Sequence, residues 1–421
     1  MTHIYAKWND KGTSALRWPF PKVAAMDAAA RARYARPPMQ ASDLRVALFS
    51  GNYNYVRDGA NQALNLLMQH VLDLGGKVRV YSPTTETPAF QPVGDLVSVP
   101  ALPLPGGRGE YRFATGMPGK VRKDLEEYAP NIIHVSAPEF LGHAAVKWAA
   151  KTNLPAVASV HTRFETYPQY YGFGFLEPTL IRALTRFYNR FDAVMTPGLG
   201  MSTMLRDWGV RAPMSTWSRG VDHGRFNPQM RSLEWRRSLG IADDEVAVAF
   251  LGRLVLEKGL GVFADVIREL EERGVRHRVL VIGEGPARDW FAERVPGAVF
   301  AGFLAGEALS RAVASMDIFF NPSLTEAFGN VTLEAMASGV PVVAARATGP
   351  VGLVENGVCG ILVQPDDVRG YADAIAHYAQ DDATRAAAGA AGHAIAQRYR
   401  WDLINQAAVD TYLSAAARHG L

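Results

Sequence analysis

Two cations five positions apart, Arg253 and Lys258, lie in the stretch Gly252-Arg253-Leu254-Val255-Leu256-Glu257-Lys258-Gly259, directly after the apolar run VAVAF. A loop with glycine at both ends lets two such cations converge on one anion. That suits a diphosphate leaving group, whose charge grows as its bond breaks. A second stretch, NPSLTEAFGNVTLE, runs from Asn321 to Glu334 and holds Glu326 and Glu334 with seven residues between them. A helix starting near Gly329 would aim its free N–H groups and positive end at a phosphate on Gly329, Asn330 and Val331. Carboxylates flanking a phosphate site fit a ligand with both phosphate and hydroxyls, Glu326 gripping a sugar and Glu334 a ribose. A third stretch, Gly283-Glu284-Gly285-Pro286, follows HRVLVI, where glycines let backbone approach a flat ring or ribose. Arg288 stands where a dinucleotide fingerprint needs its third glycine, so a dehydrogenase site is poorly supported. Each stretch also has a plainer reading, a solvated Lys/Arg loop or an ordinary acidic helix start.

All of these stretches fall at strand-to-helix junctions. LRVALFS, KVRVYS, IIHVS, AVASVH and AVMTPG read as apolar strands, with helical patterns such as ANQALNLLMQHVLDLG and LGHAAVKWAAKTN between them. After WSRGVDHGRFNP the alternation restarts with VAVAFLGR, HRVLVIGEG, DIFFNPS, GVPVVAA and GILVQP. Apolar strands alternating with helices predict parallel sheets covered on both faces. Two such halves facing one another make a cleft lined by the carboxyl ends of their strands, where open parallel sheets bind ligands. The divisions expected are an extension at 1–42, a first domain at 43–215 and a second at 220–398. An amphipathic helix in 400–421 could cross back to the first domain. The Gly339–Val343 segment and the TGP at 348–350 read as structural.

The bulk of the chain restricts the class. Its 421 residues suffice for two cores, and 48% hydrophobic with 20% charged residues is a soluble globular balance. One cysteine, Cys359, excludes an internal disulfide framework and reads as structural. No apolar stretch approaches a membrane span and the N-terminus lacks a secretory core, so a cytoplasmic protein is expected. The net charge of +3 is uneven: residues 1–42 carry Lys7, Lys11, Arg17, Lys22, Arg31, Arg33 and Arg36 against Asp10 and Asp27. Trp8, Trp18, Phe20 and Tyr34 are interleaved with them. This mixture suits an anionic membrane surface, and equally a solvated or packed extension. Nucleic acid is not indicated, since the rest of the chain has no matching basic stripe.

GRLVLEKG, GEGP, SLTEAFGNVTLEAMASGVPVVA and RGVDHGRF together resemble the retaining glycosyltransferases of family 4, over nearly the whole chain from residue 44. WSRGVD and TEAFGNVTLEAMASG further resemble the branch of lipid-sugar mannosyl-, glucosyl-, glucuronosyl- and sulfoquinovosyl-transferases. The resemblance implies an α/β protein of GT-B architecture, two Rossmann-like parallel-sheet domains facing a central cleft. It also implies transfer of mannose, glucose or glucuronic acid from a UDP- or GDP-sugar to a lipid or saccharide acceptor. Carried over residue by residue, it gives the diphosphate to Arg253 and Lys258, the transferred sugar to Glu326 and the ribose to Glu334. The amides of Gly329, Asn330 and Val331 would meet phosphate and sugar, and the base would lie near Gly283, Phe303 and Leu304. His161, ending AVASVH, matches the family's active-site histidine, although a histidine at a strand end is as a rule a satisfied structural group. Gly59 ends the loop matching the family's glycine loop, with Asp58 in place of its partner glycine.

Retention in such enzymes implies front-face attack, with the leaving diphosphate taking the acceptor proton. No cofactor or metal is expected, as the chain has no Asp-x-Asp triplet. The rival classes are a sugar-nucleotide epimerase of the same fold and a non-enzymatic small-molecule binding protein.

Overall fold

The computed structural model describes residues 38–54, 59–103, 112–166 and 173–421. The basic, aromatic stretch 1–37 and loop residues 55–58, ahead of Gly59, lie outside the described residues.

The apolar runs of the first half form parallel strands: β1 (Arg45–Phe49), β2 (Lys77–Ser82), β3 (Asp95–Ser98), β6 (Ile132–Val135), β7 (Ala156–Ser159), β8 (Ala193–Thr196) and β9 (Met214–Thr216). Between β3 and β6, β4 (Ala101–Pro103) and β5 (Arg112–Ala114) pair antiparallel. Strands β6, β7 and β8 are buried at every position, as a sheet with helices on both faces requires. The order is β3-β2-β1-β6-β7-β8-β9, so the direction of chain progress reverses between β1 and β6. That reversal opens a crevice at the carboxyl ends.

The second half repeats the plan with β10 (Ala247–Leu251), β11 (Arg278–Ile282), β12 (Val299–Gly302), β13 (Ile318–Asn321), β14 (Val342–Ala345) and β15 (Gly360–Val363). All pairings are parallel in the order β12-β11-β10-β13-β14-β15, with the reversal between β10 and β13. The short strands β3, β9 and β12 have no counterpart in the sequence reading. β9 is an edge strand of three half-exposed or exposed residues, too short for a periodic signal.

The helix Trp401–Arg418 follows the second half but packs into the core of the first. Its Ile404, Ala408, Val409 and Tyr412 join Leu64, Leu67 and Met68 of the helix Gly59–Asp73, together with Trp217. The Trp217 indole donates to Asn405 Oδ1 at 3.2 Å. Three close contacts bring the halves together at their strand ends. A Cβ on Gly59 would lie 2.2 Å from the side-chain Nδ2 of Asn330, and one on Gly200 2.3 Å from the Thr348 carbonyl. Arg163, two residues past His161, donates to the Leu324 carbonyl at 3.1 Å and to Thr348 Oγ1 at 3.3 Å.

Candidate active site

At the β10/β13 reversal, two loops are pressed together by glycine. Gly259, at φ +76°, ends the short turn Leu256–Lys258, and a Cβ there would lie 2.9 Å from the Pro322 carbonyl. This closeness carries Lys258 Nζ to 3.2 Å from Glu326 Oε1. The other carboxylate oxygen accepts from Asn321 Nδ2 at 3.2 Å, and the same amide reaches Thr332 Oγ1 at 3.3 Å. The Glu326 side chain is 9% exposed, Lys258 30%. Arg253 is exposed and has no ion-pair partner among the described residues. The structure thus joins Lys258 to Glu326 and leaves Arg253 at the rim.

The helix Asn330–Ala337 begins where the sequence predicts, with Gly329 preceding it at φ +100° and no side chain capping it. A Cβ on Gly329 would meet Glu326 Oε2 at 3.0 Å, so glycine is required there twice, by backbone and by space. The amides of Asn330 and Val331 open the helix beside Glu326, an arrangement that can hold an anion. One turn on, Glu334 is half-buried, and burial pushes its carboxyl up to about 7 despite the opposing charge of Arg225. Arg225 belongs to the RGVDHGRF motif.

Gly283 and Gly285 are packed against protein backbone on the side where a Cβ would stand. A Cβ on Gly283 would lie 2.0 Å from the Gly252 carbonyl, and one on Gly285 2.3 Å from the Leu254 carbonyl. Protein backbone fills that space, so these glycines let the β10 and β11 loops pack. The Gly283 amide donates to Gly302 at 2.8 Å, which sets Phe303 and Leu304 beside the same loops. Phe303 is 74% exposed, a free apolar face, while Leu304 is half-buried.

Across the cleft, His161 follows β7 with both ring nitrogens engaged. Arg219 Nη2 donates to Nδ1 at 2.6 Å, and Nε2 meets Ser159 Oγ at 2.8 Å. Because guanidinium only donates, the His161 proton sits on Nε2. Ser159 then donates to His134 Nε2 at 2.7 Å, and His134 Nδ1 donates to the Tyr412 hydroxyl at 2.7 Å. Burial, then Arg219 and His134, hold His161 well below the usual imidazole range, and burial alone pushes His134 down to about 3. Both rings are neutral at physiological pH, and these hydrogen bonds hold the His161 ring in place. Sequence reading missed Arg219 and Arg163. Arg219 lay inside the recognised WSRGVD stretch, but nothing in the sequence pairs it with a histidine 58 positions away.

Arg163, Leu324, Arg346 and Thr348 line an open cavity of about 410 Å³ where the halves meet. Among the described residues no group of three His, Cys, Asp or Glu is placed to hold a metal ion, and no helix is long and apolar enough to cross a membrane.

Comparison with known proteins agrees with this geometry. Residues 57–225 match the family described as Glycosyltransferase Family 4, and residues 245–381 match Glycosyl transferases group 1. The GDP-mannose-dependent alpha-mannosyltransferase of Corynebacterium glutamicum is 30% identical over 344 residues, 80% of this chain and 81% of that protein. The sulfoquinovosyl transferase of Arabidopsis thaliana is 30% identical over 367 residues, 85% of this chain and 71% of that protein. In fold, the chain is similar to the sucrose-phosphate synthase of Thermosynechococcus elongatus. The TM-score is 0.73 at 19% identity, with 89% of this chain and 99% of that one covered. The architecture is GT-B, and the chain belongs to the family 4 glycosyltransferases.

Proposed function

We propose that this glycosyltransferase moves a hexose, mannose, glucose or glucuronic acid, from a UDP- or GDP-sugar to a hydroxyl of a lipid-linked acceptor, with retention at the anomeric carbon. The observation that carries the reading is the Lys258–Glu326 pair at 3.2 Å, set over the β10/β13 reversal beside the free start of the helix Asn330–Ala337. A nucleotide-sugar fits it end to end. The diphosphate takes the amides of Gly329, Asn330 and Val331 with Lys258 and Arg253, and Glu326 takes the sugar hydroxyls. Glu334 takes the ribose, and the base lies against Phe303 and Leu304 near Gly283. His161 and Gly59 close the site from the first half, as the contact of Gly59 with Asn330 supports.

In the step itself, the bond from the anomeric carbon to the diphosphate oxygen breaks, and the acceptor oxygen bonds to the same face. The acceptor proton passes to the departing phosphate oxygen. The protein supplies positioning and positive charge, with no metal required. A lipid-linked acceptor and peripheral work at the inner face of the cell membrane are supported by the basic, aromatic residues 1–42 and by the resemblance to lipid-sugar transferases.

Thermal stabilisation by a panel of UDP- and GDP-sugars tests the donor. The correct one at a hundred times its Kd adds about 2.7 kcal/mol. The anomeric configuration of the product, read by NMR, tests the mechanism. Absence of any stabilising nucleotide-sugar refutes the donor site, and an inverted product refutes front-face attack.

A further inference from the structure

The first sheet has its own reversal, between β1 and β6, and no residue there has yet been given work. Two residues flank it. Gly51 lies just past β1, and Glu139 ends the segment Ser136–Glu139 that follows β6. The two loops are joined by the Ser136 amide, which donates to the Phe49 carbonyl at 3.0 Å. Glu139 precedes the helix Phe140–Thr152, yet its side chain does not cap that helix. Instead its carboxylate lies over Gly51, where a Cβ would fall 1.9 Å from Oε1, and it accepts a hydrogen bond from the Ala114 amide.

Several further facts surround this carboxylate. Burial pushes it up to about 7, against the opposing effect of the Ala114 hydrogen bond. Titratable or charged groups carried by the described elements beside it include Tyr53 in the β1 loop, Arg112 on β5, and His143, Lys147 and Lys151 on the following helix. The same β1 loop buries Asn54, at 4% exposure, with its Oδ1 lacking any hydrogen-bond donor among the described residues. Phe113 and the 61% exposed Phe140 pack edge to face at 5.2 Å on the elements that carry Ala114 and Glu139. The far end of the β1 loop, Gly59, touches Asn330 of the second half, and β6 pairs directly with β7, the strand that leads to His161.

We propose that Glu139, laid over Gly51 at the reversal of the first sheet, is the acceptor subsite, binding the hydroxyls of a glycosyl or glyceryl group. The proposal rests on the glycosyltransferase reading above and adds the chemistry of its acceptor. A carboxylate is an acceptor-only group that suits hydroxyl donors. The aromatic edge of Phe113 and Phe140 offers apolar contact to whatever carries the hydroxyls.

The test uses the full chain, its stabilising nucleotide-sugar, and three neutral acceptors: dioctanoylglycerol, octyl glucoside and methyl glucoside. Glu139→Gln is expected to raise the acceptor KM about tenfold, the loss of one charge-assisted hydrogen bond, while the donor KM stays as in the parent. In the parent, the acceptor KM falls as pH rises through about 7, and in the variant it is flat. Gly51→Ala, which puts a methyl group where the carboxylate lies, gives the same acceptor-specific defect. Transfer to octyl glucoside but not methyl glucoside assigns the hydroxyls to a lipid head group, and equal transfer to both assigns them to a free saccharide. An unchanged acceptor KM in both variants, or an equal rise in donor KM, overturns the proposal. So does refusal of all three acceptors by a chain that still binds the donor. A parent chain that binds no nucleotide-sugar at all overturns the donor reading, and this one with it.

Discussion

Replacing Glu334 by glutamine is expected to make the free protein more stable while weakening its hold on the nucleotide. In the folded protein the Glu334 carboxyl is pushed up to about 7 from the ordinary 4.5. A carboxyl with a raised folded pKa binds its proton more tightly folded than unfolded, so ionisation costs stability as pH climbs from 4.5 through 7. The difference of about 2.5 units, at 1.36 kcal/mol each, gives a cost of roughly 3 kcal/mol once the group is ionised. Glutamine has the same shape and no charge, and removes that cost. The variant should therefore melt several degrees above the parent at about pH 8, and the advantage should vanish below about pH 4.5, where both side chains are neutral. Nucleotide binding should move the other way. The amide offers one good acceptor to the two ribose hydroxyls, a loss of about tenfold or more in affinity. Melting curves across this pH range, with and without the stabilising nucleotide, read both effects. A variant with no gain at high pH, or with undiminished nucleotide stabilisation, would refute the reasoning.

Arg253→Ala should lower transfer about a hundredfold, roughly 3 kcal/mol of charge stabilisation at the departing diphosphate, with the melting temperature unchanged. A rate within about threefold of the parent would sink that assignment. Transfer should survive a strong chelator, and complete loss restored by magnesium or manganese would show the reading of the site to be wrong. Tyr412→Phe leaves the buried His134 Nδ1 proton without its acceptor and should cost about 1–3 kcal/mol by denaturant unfolding. Parent-like stability would mean that the relay from Arg219 to Tyr412 contributes nothing. Deleting residues 1–40 should weaken sedimentation with anionic liposomes, more so at low salt, while donor binding is spared. Equal sedimentation of both forms would remove the extension from membrane binding.

The fold was legible in the sequence where burial was complete. IIHV, AVAS and AVMT form strands buried at every position, and a run of that kind has few other uses in a chain of this composition. The donor side was legible because its parts are close in sequence: Glu326, Gly329 and Glu334 share one loop and one helix. The first-half wall of the cleft was not, because its contacts join distant positions. Tyr412 reaches His134 across 278 residues and Arg163 reaches Thr348 across 185, and no local pattern encodes either. Glu139 was hidden differently. An acid ahead of a helix looks like a cap, and only the structure shows that its carboxylate makes no cap and lies over Gly51 instead. Gly283 is ambiguous for a related reason. A glycine at a strand end signals close approach but does not say to what, and here the partner is the Gly252 carbonyl.

The two donor-side cations also prove unequal, which their shared motif does not reveal. Lys258 is already committed, its ammonium 3.2 Å from a carboxylate only 9% exposed, and that carboxylate is held from its other side by Asn321. Removing Lys258 would leave Glu326 largely buried without its counter-charge, so any loss of transfer would mix catalysis with a disturbed site. Arg253 carries no such commitment among the described residues and stands in solvent. Fixing its long side chain on a diphosphate costs about 1.5–2 kcal/mol of rotamer entropy, which the charge-assisted hydrogen bonds must exceed. In the proposed reaction that balance improves as the leaving group gains charge, so Arg253 would favour the transition state over the bound donor. On the same proposal Lys258 would set the register of the sugar and its diphosphate before reaction, and Arg253 would respond to the charge that reaction creates.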